Sequence, residues 1–437
     1  MKNRVNSRRT LFFGLGLAVV TWMGCQSSSI SGDIESNQEG AKENQKRKSG
    51  VAAASQGGES GLNAKPSSEQ LVNAAAPDEA KIQEIVQKDG GSAQAGIIYI
   101  SLAHLAKSGQ GTQDLEVYRF GVTKALNSLS MKPQIKRLDP LDDAHTVYKV
   151  NLADFSLNAN SLGLVQRVAG ANNAIRQVGN STVIKGDWLV YAVTRPEVYD
   201  NIMGIPNFVG ALENELRIDT KKAVYWNISS SEVTFEPRVL ERIPIEIGGK
   251  PGGYYWRSYD FARKDVQIRG FQNPQTLRSA GVVDLVAGEF FFSLPNGLQG
   301  YMLSGFATQH RIDAQSFVAT DSNRSQDGLT RCVGGHKQCG YVINGESCIT
   351  CHSNGVKINP TVAGIKGAAK EEADRLFAQD AQRFAAAIRE MGFEDQGVEP
   401  VKATIQRYRT DNNVSDARRQ GSEVSPTSGR GVLARPR

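Results

Sequence analysis

The sequence predicts an α+β fold, on three observations. Short stretches with helical spacing and short strand-like runs intermix without a regular βαβ alternation. No internal repeat organises the chain, and no Gly-rich phosphate loop joins a strand to a helix. The folded body begins near Asp78. Asp78 to Lys88 reads as a short helix, and Ala95-Gly96-Ile97-Ile98-Tyr99-Ile100-Ser101 as a compact strand. Asp114 to Met131 places Leu115, Tyr118, Val122, Leu126 and Leu129 at spacings of three and four, which fits one helical face. Thr146 to Leu152 alternates and reads as a strand; Val183-Ile184, Trp188 to Val193 and Val224 to Ile228 are further strand candidates. Pro196 opens a helix over Glu197 to Met203, Asn207 to Leu216 forms another, and a longer helix runs from about Lys370 toward Met391.

Ahead of this body lies an export signal. Lys2, Arg4, Arg8 and Arg9 form a positive n-region without an acid, and Leu11 to Gly24 is an uncharged, mostly apolar run of 14 residues. That is long enough for a signal h-region and short of a span of about 20 residues. Gly24-Cys25 ends the run as a lipoprotein signal does, so Cys25 is the expected site of lipidation and the mature N-terminus. Trp22 stands where an aliphatic residue is usual in such a signal, and an ordinary signal peptide or a retained anchor helix are the alternatives. Ser7-Arg8-Arg9-Thr10-Leu11-Phe12 also has the look of a twin-arginine signal, but the pair is read as ordinary n-region charge. Residues 26–77 are dominated by Ser, Gly, Gln, Asn, Ala, Lys and Glu and hold too few large aliphatics to offset their ordering entropy. As a flexible tether of about 50 residues they would reach roughly 35–45 Å.

The formal net charge of +6 says little about partners. Taking the four signal cations from the 51 basic residues leaves 47 against 45 acidic ones. From Lys402 to Arg437 there are eight basic and three acidic residues, so the body before this tail is slightly acidic and no nucleic-acid partner is expected.

The most informative stretch is Cys348-Ile349-Thr350-Cys351-His352. Cys-x-x-Cys-His is the attachment pattern of a c-type haem: two thiols add to the two vinyl groups of one porphyrin, and the adjacent histidine ligates the iron. With five Cys and five His in 437 residues, chance yields roughly 0.0007 such motifs. The competing interpretation is a redox Cys-x-x-Cys that happens to precede a histidine. One covalent haem c is the expected cofactor, with Cys348 and Cys351 as attachment sites and His352 as proximal ligand. Cys332 and Cys339 then suggest a disulfide in an oxidising compartment. Zinc is the rival, because Cys332, His336, Cys339, Cys348 and Cys351 lie within 20 residues.

Several stretches, in order, carry a resemblance. They are Gly253-Tyr254-Tyr255-Trp256-Arg257-Ser258-Tyr259-Asp260-Phe261, Gly288 to Tyr301, and Val342-Ile343-Asn344-Gly345-Glu346-Ser347-Cys348 leading into the haem motif. Upstream, Tyr99 to Leu105, Ala125 to Ser130, Asp187-Trp188, Arg195-Pro196 and Tyr199-Asp200 extend it. The chain resembles a family of largely uncharacterised, exported, c-type cytochrome-like bacterial proteins. The resemblance implies haem attachment at Cys348 and Cys351 with His352 as ligand, and no reaction beyond that. Two departures stand out: the chain ends soon after its last helix, and Cys332 and Cys339 are additions to the pattern.

On this reading residues 1–24 are a signal peptide and 25–77 a disordered tether. Residues 78–300 form an α+β domain, 301–395 a small, mainly helical cytochrome c-like haem-binding segment, and 396–437 a helix and a basic disordered tail. Candidates for the distal iron ligand are Met391, 39 residues after His352 and behind an apolar stripe of Phe377, Phe384 and Ile388, together with His336 and His310. His104 and His145 read as ordinary surface or core histidines. Trp256, Tyr259 and Tyr301 read as core residues that could also line a haem edge, and Asp260 and Glu289 as solvated or capping carboxylates.

The expected function is electron transfer by an exported lipoprotein, held through its N-terminal lipid on a membrane facing the periplasm or on the cell surface, with a redox partner protein the sequence does not identify. The alternative is a haem-dependent redox enzyme or small-ligand sensor with an open axial site, which residues 95–300, larger than a simple carrier needs, keep in view. A structural lipoprotein without a redox role is the third class.

Overall fold

The computed structural model describes residues 77–89, 96–107, 112–228, 237–261, 263–278, 285–304, 310–311, 314–316, 341–356, 367–393 and 397–414. The expected signal and lipidation site at Cys25, the tether up to residue 76, Cys332, His336 and Cys339, and the tail beyond 414 lie outside the described residues.

Two five-stranded sheets, with helices packed on and between them, make this an α+β protein. The first half opens with α1 (Glu79–Lys88), capped by Asp78, whose carboxylate accepts from the Lys81 amide at 2.8 Å. There follow β1 (Ile97–Ser101), α2 (Ala103–Lys107), α3 (Thr112–Asn127), β2 (Asp139–Pro140) and β3 (Val147–Asn151). Next come α4 (Ala159–Val165), α5 (Ala171–Ala174), the β4 (Ile175–Val178) and β5 (Ser181–Lys185) hairpin, and α6 (Gly186–Val193). The strand order is β2-β3-β1-β5-β4, with β1 central, antiparallel to β3 and parallel to β5. Alternation along β1 explains its placement: Ile98 and Ile100 enter the main core, while Tyr99 packs with Ile82 and Val86 of α1 on the opposite face.

Trp188 to Val193, expected as a strand, is instead most of α6. Trp188, Leu189, Val190, Ala192 and Val193 are all buried. A short run that is apolar on every side carries neither a period of two nor one of 3.6, so length and pattern alone do not separate a buried strand from a buried helix.

Beyond α6 come α7 (Pro196–Met203) and α8 (Val209–Glu215), both where expected, then β6 (Val224–Ile228). The second sheet continues with β7 (Arg238–Ile247) and β8 (Lys250–Phe261), passes through α9 (Lys264–Gln272), and closes with β9 (Leu285–Ser293) and β10 (Gln299–Ser304). It is an antiparallel meander in the order β10-β9-β8-β7-β6. A two-stranded pair, β11 (Ala314–Ser316) and β12 (Tyr341–Ile343), precedes three helices: α10 (Glu346–Cys351), α11 (Ala368–Glu390) and α12 (Pro400–Asp411). The first-sheet core continues into Tyr255, Phe290 and Phe292 of the second sheet. Helix α11 divides its apolar face between two clusters. Leu376, Phe377 and Ala381 pack with Trp226 and Trp256, and Phe384 and Ala387, with Met391 just past the helix end, join the main core. Each fully buried aromatic of this kind contributes about 1.5–3 kcal/mol through lost water contact. Among the described residues no helix is long and apolar enough to cross a membrane.

Candidate functional site

The Cys-x-x-Cys-His segment forms the short helix α10, and the body grips it from several sides. Gly345 precedes the helix at φ +81°, and a Cβ there would meet the Thr194 carbonyl oxygen at 2.8 Å and Tyr199 Cγ at 2.9 Å. Only glycine fits that combination of backbone angle and close approach. The amide of Glu346 donates to the Thr194 carbonyl at 3.1 Å, and Ser347 Oγ accepts from the Ile343 amide at 2.9 Å. Thr350 Oγ1 donates to the carbonyl of Glu346 at 2.9 Å, which leaves its methyl for packing.

The first-turn residue Glu346 is 2 % exposed and lies between two arginines. Arg409 of α12 donates two bonds to its carboxylate, at 2.8 and 2.9 Å, and Arg195, just ahead of α7, pairs with the same carboxylate. Both arginines are buried. A charged triad thus ties the helix bearing the two thiols to α7 and to the last described helix.

The described residues place Cys348 and Cys351 as thiols, neither joined in a disulfide. Cys348 is 8 % exposed, and its Sγ lies 3.7 Å from Asn344 Oδ1. Asn344 in turn donates to Asp200 Oδ1 at 2.5 Å. Burial pushes the Cys348 thiol well above its ordinary pKa, and the negative charges of Glu289 and Cys351 push the same way. Cys351 is half-buried at the end of the helix.

His352 caps α10. Its ring stands against Phe291 of β9, with centroids 4.8 Å apart, and Tyr301 of β10, at 5.6 Å. Its Nδ1 lies 3.1 Å from the Gly355 carbonyl oxygen. A carbonyl only accepts, so Nδ1 carries the proton and the neutral ring has its lone pair on Nε2. This is the tautomer that histidine metal ligands adopt when a backbone carbonyl orients them. Gly355, at φ +78°, brings the turn onto α11, where a Cβ would meet Phe384 Cβ at 2.7 Å. The donor set therefore fits a haem c: two thiols one helical turn apart and an imidazole with its nitrogen lone pair fixed.

Of the distal-ligand candidates, His336 lies outside the described residues, and Met391 is buried just past the end of α11. It lines a cleft of about 530 Å³ whose wall includes Ser353 and Asn354, the two residues that follow His352. Phe120, Ile388 and Phe393 are apolar neighbours in that wall. The buried Lys124 lies there too, bonded to Glu399 at 2.8 Å and to the Ser353 carbonyl at 3.3 Å. His310 is placed elsewhere: it is exposed and stacks on Phe208, centroids 4.3 Å apart. Among the described residues no group of three or more His, Cys, Asp and Glu is arranged to hold a metal ion.

Trp256 and Tyr259 are buried core residues, whereas Tyr301 is both core and a direct neighbour of His352. Trp256 stacks on Phe291 at 5.9 Å and donates from Nε1 to Asp380 at 2.8 Å, so α11 and the ring beside His352 share a support. Asp260 and Glu289 are neither solvated nor caps. Arg238 binds Asp260 with two bonds of 2.6 and 2.7 Å and Glu289 with one of 3.0 Å, across three adjacent strands. The partners of Glu346 were not legible beforehand, since Arg195 and Arg409 stand far from it along the chain and only the fold brings them together. Neither a family model, nor a curated protein, nor a solved structure matches the chain.

Proposed function

We propose that the protein is an exported electron-transfer lipoprotein carrying one haem c, attached through Cys348 and Cys351, with His352 as the proximal iron ligand. The observation that carries this reading is the His352 geometry: Nδ1 donates to the Gly355 carbonyl at 3.1 Å, so Nε2 has the lone pair a metal takes. When bound, the haem would supply a one-electron iron couple. The chain's residues do the rest. Phe291 and Tyr301 restrain the imidazole ring, the triad on Glu346 fixes the helix that presents both sulfurs, and Gly355 holds the turn that supplies the carbonyl. Met391 is the proposed distal ligand because it lines the cleft beside Ser353 and Asn354; His/Met ligation would set a comparatively high potential. The haem-bearing part on this proposal is the segment 301–395, whose described helices are α10 and α11. Export follows from the N-terminal signal, and lipidation of Cys25 would anchor the protein to a membrane facing the periplasm or on the cell surface, where a redox partner protein meets it.

The test is a pyridine haemochrome spectrum of the full chain expressed in a periplasm with cytochrome c maturation, beside Cys351→Ala. A c-type spectrum in the parent, lost or shifted in the variant, is expected. Absence of covalent haem from the parent would overturn the proposal and return Cys348 and Cys351 to redox or zinc chemistry.

A further inference from the structure

The first sheet holds a second constellation that the haem motif does not use. Strands β1 and β5 run parallel at its centre, and each passes directly into a helix. In open sheets, the carboxyl ends of adjacent parallel strands are where ligand crevices form, because the chain turns away there on both sides. A cleft of about 380 Å³ lies at this place, lined by Ser101 at the end of β1, His104 of α2, Lys185 at the end of β5 and Arg176 of β4. That size suits a small molecule.

Two observations mark it as a site. Asp187, whose side chain is 2 % exposed, holds His104 Nε2 at 2.9 Å across 83 residues of sequence. A carboxylate accepts, so Nε2 carries a proton, and in the tautomer without a second one the lone pair lies on Nδ1. This is the arrangement that positions a histidine for acid–base work. Separately, the Arg176 side chain is 30 % exposed, yet its Nε is shielded from solvent and among the described residues nothing accepts from it. Arg176 also pairs with Glu79, more than half of whose side chain is exposed, so that carboxylate satisfies one edge of the guanidinium and leaves Nε without an acceptor. A buried donor of this kind calls for an acceptor. Besides His104, the charged groups at the cleft are Arg176 and Lys185 against Glu79, and Asp187 lies behind the ring.

We propose that this cleft binds a phosphate group, free or as a small monoester. Arg176 and Lys185 hold its anionic oxygens, and His104 Nδ1, in the neutral ring, accepts a hydrogen bond from the P–OH of the singly protonated form. The inference stands independently of haem attachment.

Diethyl pyrocarbonate footprinting of the full chain, read by mass spectrometry at His104, tests it. Inorganic phosphate and glycerol phosphate serve as probes, and sulfate as the isosteric anion without a proton. Saturable protection of His104 by phosphate is expected, with sulfate weaker by about tenfold, the cost of one hydrogen bond to a charged group. Arg176→Gln and Lys185→Gln, each checked for an unchanged circular dichroism spectrum, should each raise the half-protecting concentration by about tenfold. Stronger protection by the monoester than by inorganic phosphate would identify an ester as the ligand, and the reverse would identify the free ion. No protection, or equal protection in the Arg176→Gln/Lys185→Gln double variant, would overturn the site. Equal protection by sulfate and phosphate would overturn the role of His104.

Discussion

Replacing Glu346 with Gln keeps the side-chain shape and removes one buried charge. In the parent, the carboxylate receives two bonds from Arg409, at 2.8 and 2.9 Å, and pairs with Arg195, while all three side chains are less than a tenth exposed. Burying such a triad costs desolvation that its internal attraction offsets, so its net contribution is small; removing one member is different, because two buried guanidiniums lose the carboxylate they share. Breaking a buried pair in this way costs about 3–5 kcal/mol, a large share of a total stability of about 5–15 kcal/mol. Urea denaturation of the full chain, followed by far-UV circular dichroism, should show the midpoint falling by about 1 M or more at an m-value near 3 kcal/mol/M, with m unchanged. The triple variant Arg195→Met/Glu346→Leu/Arg409→Met should recover most of the loss, since apolar side chains of similar volume can replace a buried triad at little cost. A loss below about 1 kcal/mol for Glu346→Gln would refute the reasoning, because that is the scale of an exposed pair.

Gly345→Ala should cost about 2–3 kcal/mol and reduce covalent haem in the haemochrome assay, because its φ of +81° and the 2.8 Å approach of the Thr194 oxygen leave no room for a methyl group; a melting temperature equal to the parent's would refute this. In the haem-free protein, iodoacetamide should label Cys351 about tenfold or more faster than Cys348, which is buried and has its pKa pushed up. A raised pKa means less thiolate at every pH below it, so Cys348 labelling should keep climbing with pH above the range where an ordinary thiol has levelled off. Equal rates from pH 7 to 9, by mass spectrometry of the two thiols, would refute the burial.

Local patterns predicted local structure well. Asp78 to Lys88 reads as a short helix, Ala95 to Ser101 as a compact strand and the alternating Thr146 to Leu152 as another, because each signal is written within one element. The Cys-x-x-Cys-His segment stands out in the sequence for the same reason: Cys348, Cys351 and His352 are near neighbours and one helical turn brings them together. The element read differently, Trp188 to Val193, is buried at every position but the half-buried Tyr191, so solvent imprints little period on it. What remained hidden depends on distant pairings. Asp260 reads as a lone acid until Arg238 and Glu289 come alongside on neighbouring strands. His104 reads as an ordinary histidine until the parallel pairing of β1 and β5 brings Asp187 to its ring. Gly345 is one of 44 glycines, and only the packing of Tyr199 and Thr194 shows why it cannot vary.

The burial of Cys348 bears on how a haem-bearing form would be made. Its sulfur lies inside the body, next to Asn344, on a helix held by Glu346, Ser347 and Thr350 before the chain reaches Cys351. Cys351 and His352 are half-buried and approachable; Cys348 is not. Thioether formation at Cys348 needs the thiol to meet a porphyrin edge, so it must precede closure of α10 onto α7 and α12, or wait for that contact to open. The triad makes opening costly, since α10 cannot leave without stranding Arg195 and Arg409. Attachment before folding is therefore the lower-energy order. If the chain is exported as proposed, that order has it cross the membrane unfolded, which agrees with the expectation that Arg8 and Arg9 are plain signal charge. The two alkylation rates decide between the orders: a slow Cys348 in the folded chain is what attachment before folding demands, and a fast one would let attachment follow it.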